Sequence, residues 1–147
     1  MRITNSTRGT TLASCAEIAD TPAKRRLGLL NRESLAPGEG LWLSSASAIH
    51  TFGMKFPIDV LFLDPQGSVL GILPNMGPEE TSGRYPYCKV ASVLELPAGT
   101  AEATGTREGD NLSLELPVSN IGESFTRLFP VLAALVVCVG FVLVVSR

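Results

Sequence analysis

The sequence predicts an α+β fold: a small, mainly antiparallel β domain with one short helix, followed by a C-terminal transmembrane helix. Three observations carry that reading. Short apolar runs are separated by turn residues about every 8–12 positions, the pattern of antiparallel strands. One stretch, beginning at Thr21, has a clear helix start, and residues 128–145 carry no charge at all. The 147 residues are thereby divided into a globular domain over 1–117, a linker over 118–127 and a membrane span over 128–145.

The chain opens with strand candidates at residues 2–4 and 11–15 around a turn cluster at 5–9, a hairpin pattern. Thr21 then offers a cap and Pro22 suits the first helical position, with Ala23, Leu27 and Leu30 following at helical spacing. Lys24, Arg25 and Arg26 fall on the outer side of this helix, a small basic cluster that reads as a solvated face, with contact to anionic lipid or a partner as the alternative. Gly28 lowers its intrinsic stability by about 1 kcal/mol relative to alanine, so packing is expected to hold it. Residues 36–40 are loop, and Leu41-Trp42-Leu43 begins a strand.

Residues 49–64 form the centre of the chain, holding the only histidine and a carboxylate inside an apolar run. Val60-Leu61-Phe62-Leu63 is apolar at consecutive positions, so a strand here is covered on both faces. Asp64-Pro65-Gln66-Gly67 has the residues of a type I turn, and 68–73 reads as the returning strand. This hairpin is expected to pack on the helix near Pro22, with Leu27, Leu30, Val60, Phe62, Val69 and Leu94 in one core. Residues 74–86, with three prolines and two glycines, read as a long loop suited to a binding or lid segment. A strand over 90–96 stopping at Pro97, a helical turn within 98–103, a turn at 107–111 and a last strand over 112–116 complete the domain.

The uncharged residues 128–145 rise about 27 Å as a helix, against a hydrocarbon core of about 30 Å. Arg127 and Arg147 bracket the segment and can snorkel to the two interfaces, while Pro130 falls in the first turn, where a missing N–H is harmless. Apolar residues all round this segment favour a membrane span over a core helix. No apolar segment follows the N-terminal charge, so no secretory signal is expected. The expectation is a tail-anchored, single-pass membrane protein whose N-terminal domain faces the cytoplasm. A net charge of −2 and a pI near 5.4 leave no basic footprint for nucleic acid. Cys15, Cys88 and Cys138 have no CxxC spacing. A Cys15–Cys88 disulfide is open, and reduced thiols are the simpler reading.

Three side chains stand out as candidates for chemistry: His50, Asp59 and Glu95. In an extended segment Ala48, His50 and Phe52 share a face, and an imidazole can serve as acid, base or ligand. A histidine packed against its aromatic neighbours is the blander alternative. Asp59 shares a face with Leu61 and Leu63, and Glu95 shares one with Val93. A buried carboxylate must find donors, and backbone N–H groups or Lys55 are the structural answer for Asp59. If the three form a site, at least two should approach within hydrogen-bond reach. One histidine without a close cysteine or histidine partner does not match zinc spacing. No Gly-x-Ser-x-Gly elbow and no phosphate-binding loop is present, and no metal or cofactor is expected. The first functional reading is therefore a module binding a protein or a small molecule. The alternative is a membrane-associated, hydrolase-like enzyme with a pocket around His50, Asp59 and Glu95.

Six pieces, in order, resemble a known family: Arg26-Leu-Gly-Leu-Leu-Asn-Arg32, Gly38-Glu-Gly-Leu-Trp42, Ile49-His-Thr-Phe-Gly-Met54, Pro57-Ile-Asp-Val-Leu-Phe-Leu-Asp64, Val93-Leu-Glu-Leu-Pro-Ala-Gly-Thr100 and Glu108-Gly-Asp110. The family is the domain of unknown function 192 (DUF192), also called uncharacterised protein family 0127, and the resemblance covers roughly residues 10–116. It implies a small, mainly antiparallel β fold with a short helix, usually prokaryotic, and carries over no catalytic residue. Where that family often has a cysteine shortly before the Ile-His pair, this chain has Ser45, Ala46 and Ser47.

Overall fold

Strand β5 (Ile58–Leu63) is buried at every position, as its run of apolar residues predicts. It is flanked on both sides. β6 (Val69–Met76) and β7 (Ser92–Pro97) each pair with it antiparallel. β4 (Glu39–Ser44) pairs antiparallel with β7, and β3 (Cys15–Ala19) lies parallel to β4, giving the order β3-β4-β7-β5-β6. A second sheet has the order β2-β1-β8, formed from β2 (Thr10–Ala13), β1 (Arg2–Asn5) and β8 (Leu112–Glu115), all antiparallel. The computed structural model describes residues 1–83 and 89–116, within the compact unit Met1–Leu116. The expected linker and the expected span over 128–145 lie outside the described residues, as do Cys88 and Cys138. Among the described residues no helix is long and apolar enough to cross a membrane.

The domain is mixed as well as antiparallel, because the strand expected over 11–15 is two strands. The backbone N–H groups of Ser14 and Cys15 both donate to the Gly38 carbonyl, at 2.8 and 2.9 Å. That contact turns the chain out of β2 and lays β3 beside β4. Parallel neighbours need a crossover, and α1 (Pro22–Leu27) lies on it. The Thr21 hydroxyl accepts from the Lys24 N–H at 3.2 Å, and Pro22 opens the helix. Gly28 is no mid-helix liability. It ends the helix at φ 49°, its N–H bonded to the Lys24 carbonyl at 2.8 Å, a backbone region glycine enters without Cβ strain.

The hairpin turn follows its residues. Gly67 N–H donates to the Asp64 carbonyl at 3.1 Å, and Asp64 Oδ1 accepts from the N–H groups of Gln66 and Ser68. β6 runs on to Met76, beyond the expected strand end. Pro74 is tolerated because β6 is an edge strand with no second ladder to supply. A register shift between Ile58 and Val60 and a positive φ of 52° at Asn75 absorb the irregularity.

The expected single core is two cores, because strand side chains alternate between faces. Leu61, Leu63, Trp42, Leu94 and Val69 face the second sheet and α2 (Thr100–Ala103), packing on Ile3, Leu12, Leu112 and Ala101. Val60, Phe62, Ile58, Leu41, Leu43 and Val93 line the other face, under Leu29, Leu35 and Met54, with Leu30 partly buried. α1 buries none of its own residues, and Leu27 is 50% exposed. The hairpin therefore does not pack on α1. The chain just after the helix covers this face, with help from residues 45–56.

Candidate functional site

The three sequence-selected residues have different fates. Asp59 is fully buried on the face toward α2. Its Oδ1 accepts from the N–H groups of Asn75 at 2.9 Å and Gly99 at 3.1 Å, and its Oδ2 from Ala101 N–H at 2.8 Å. The carboxylate thus fastens the β6 irregularity and the start of α2 to β5. Lys55, the other partner considered, pairs with Glu33 instead.

His50 is exposed. Its ring stacks on Phe52 with centroids 5.3 Å apart and planes at 22°, so the two side chains do share a side. The residue between them was missed by sequence reasoning. Thr51 is fully buried; its hydroxyl donates to the Gly77 carbonyl at 2.6 Å and accepts from Glu80 N–H at 3.0 Å. Ile49 and Ser82 add a backbone bond of 3.0 Å, and His50 bridges Thr81. Residues 77–82, part of the loop expected to serve as a binding or lid segment, are therefore tied to the His50 segment. A lone threonine gives no sequence signal for such a role.

Glu95 is the exception among the buried polar groups. It is 4% exposed, and its strand neighbours in register are Leu41 and Val60, both apolar. Its Oε2 has no hydrogen-bond partner. Burial pushes its carboxyl up to about 7, because a charge is disfavoured where water is excluded and no donor replaces it.

Glu95 lines a cleft of about 390 Å³, bounded by α1 and the chain after it, by residues 45–50 and by Met54. Apolar walls come from Leu29, Leu30, Leu43, Ile49 and Met54, while Arg25, Arg26, His50, Ser45 and Ser47 add polar groups. His50 and Glu95 thus meet on one cleft, and Asp59 is not part of it. Among the described residues none of the three is hydrogen-bonded to another, contrary to the expected close pair. The basic cluster keeps the solvent contact expected of it, since α1 buries none of its residues, and Arg25 and Arg26 also line the cleft. Their place on the cleft follows from where the chain after Gly28 turns back over the sheet, which residue type does not encode. Among the described residues no group of three or more His, Cys, Asp or Glu is placed to hold a metal ion. Cys15 is a free, exposed thiol.

The DUF192 family model, described as uncharacterized ACR, matches residues 3–114. The chain belongs to the DUF192 family. The match runs from within β1 to within β8, so both sheets and the Glu95 cleft are parts of the DUF192 domain. Two solved structures resemble this DUF192 chain. One, from Sinorhizobium meliloti 1021 and titled as a candidate transcription regulator, is 29% identical with a TM-score of 0.63, over 76% of this chain and 89% of that one. The other, a protein of unknown function from Novosphingobium aromaticivorans DSM 12444, shares the fold at 23% identity and a TM-score of 0.63, over 77% of this chain and 82% of that one. No curated protein matches the chain.

Proposed function

We propose that this DUF192 domain is a binding module that takes a small molecule in the Glu95 cleft, and that residues 128–145 hold it at a membrane with the domain in the cytoplasm. The observation supporting the binding role is Glu95 itself, a residue 4% exposed that lines the cleft and carries a buried carboxyl oxygen without a partner. A buried polar atom without a partner costs about 1–3 kcal/mol. A leucine or methionine there would suit the apolar neighbours better, so the carboxyl makes sense where a ligand supplies the missing donor. With a net charge of −2, nucleic acid is not the partner this reading favours.

A thermal-shift screen of donor-bearing small molecules against the full-length chain in uncharged detergent tests the proposal. Bound ligand raises Tm by mass action, and hits should lose their effect on Glu95→Gln. Hits that stabilise both proteins equally bind elsewhere, and the cleft then loses its role. One observation favours the hydrolase-like alternative: a carboxyl near 7 on the same cleft as His50 suits general acid–base chemistry. That reading needs no part for Asp59. NMR of a bound hit separates the two, since a binding module leaves the ligand intact over hours and an enzyme consumes it.

A further inference from the structure

We infer that the cleft's ligand is a small zwitterion, whose ammonium group reaches Glu95 and whose acid group, a carboxylate or phosphate, lies against Arg25 and Arg26. This rests on the binding-module reading and narrows it to a ligand class. The cleft joins groups of opposite charge that do not neutralise each other. Glu95 has an unpartnered oxygen, and Arg26 has no ion-pair partner among the described residues. Arg25 donates Nη1 to the Asp20 carbonyl at 3.1 Å, which leaves donors of its guanidinium for an acid group.

The charge arrangement selects against simpler ligands. An amine without an acid group would meet the field of two arginines, and an acid without an amine would bring its charge toward Glu95. A zwitterion satisfies both ends. A volume of about 390 Å³ is at the small end of ligand sites, which span roughly 300–1,000 Å³. The apolar walls reduce water's screening and so strengthen an ammonium–carboxylate contact, while guanidinium groups match carboxylate and phosphate geometry.

The groups facing Glu95 define its pH behaviour. Leu41 on β4 and Val60 on β5 flank it in register, and Leu29, Leu30 and Met54 come from the covering segments. Asp59 lies on the opposite face. The titratable groups sharing the cleft among the described residues are Arg25, Arg26 and His50. Ammonium binding requires Glu95 as carboxylate, so below about 7, where the carboxyl holds its proton, binding must first displace that proton.

Calorimetry on the full-length chain in uncharged detergent provides the test, with glycine, β-alanine, γ-aminobutyrate and phosphoethanolamine as probes. Matching n-alkylamines and n-alkanoates are the singly charged controls. At least one zwitterion should bind about tenfold or more tighter than either control, the scale of one charged hydrogen bond. Its affinity should fall about tenfold per pH unit below about 7 and level off above. Glu95→Gln should weaken binding and flatten that profile, and Arg26→Gln should weaken zwitterions without weakening amines. Preference for amino carboxylates over phosphoethanolamine, or the reverse, identifies the acid group. An amine that binds as tightly as its zwitterion, unaffected by Arg26→Gln, overturns the zwitterion while the cleft keeps its binding role. No binding by any probe also overturns it, and the broader screen decides separately whether the cleft binds at all.

Discussion

Asp59 and Glu95 are both buried carboxyls on adjacent strands, and they meet opposite conditions. Asp59 receives N–H donors from residues 16, 40 and 42 positions away, whereas Glu95 Oε2 receives none. Their apolar flanks made the need for donors legible in the sequence. Which one found them was not, because the donors come from a strand irregularity and a helix start that only the fold brings near. Asp59→Asn would aim an NH2 group at backbone N–H groups and should cost about 2–4 kcal/mol in urea unfolding, the loss of one to two charged hydrogen bonds. A cost below measurement would remove Asp59 as a fastening point. Glu95 has the reverse signature. Its carboxyl ionises near 4.5 when free and at about 7 in the folded protein, so its protonated form favours folding. That contribution is complete below 4.5 and is lost as pH rises to about 7. At 1.36 kcal/mol per pH unit the loss is about 3 kcal/mol. Glu95→Gln should therefore gain about that much on the parent between the two pH values, and a difference that does not change with pH would contradict the burial argument.

At the scale of elements, local chemistry was readable where one residue type satisfies one backbone demand. Thr21 and Pro22 start α1, and Asp64 and Gly67 close the hairpin, as their identities predict. The parallel β3–β4 pair was not readable, because it depends on two N–H groups sharing the Gly38 carbonyl across 24 residues of chain. The division into two cores was half visible: continuous burial of β5 was evident, but which partners cover which face was not. Gly67 links the turn to the second sheet. Its φ is +85°, and a Cβ built there would lie 2.7 Å from the Leu112 carbonyl oxygen, while Leu112 N–H donates to the Gly67 carbonyl at 2.9 Å. Gly67→Ala should thus be penalised twice, by backbone strain of about 1–3 kcal/mol and by displacement of β8. Protection of the Leu112 amide against hydrogen exchange reads the second effect, and protection unchanged from the parent would show that the turn does not hold β8.

For the whole molecule, the proposal to test is where the domain works, and two residue-level facts make it testable. Residues 128–145 are uncharged and long enough for a slightly thinned bilayer. Cys15 is a free, exposed thiol. The proposed membrane-held domain on the cytoplasmic side has two parts, and one labelling experiment tests both. In a chain carrying Cys88→Ser and Cys138→Ser, Cys15 is the remaining cysteine, so a membrane-impermeant maleimide reports its side. The label should be excluded from sealed spheroplasts and should react in inverted vesicles prepared from the same cells. Reaction in sealed spheroplasts would place the domain outside and remove the sidedness. The anchor is tested in the same vesicles by alkaline carbonate, which strips peripheral proteins. Retention in the pellet, with release when residues 128–145 are deleted, is the expected result. A full chain recovered in the carbonate supernatant would mean that those apolar residues cover a protein surface instead of crossing lipid.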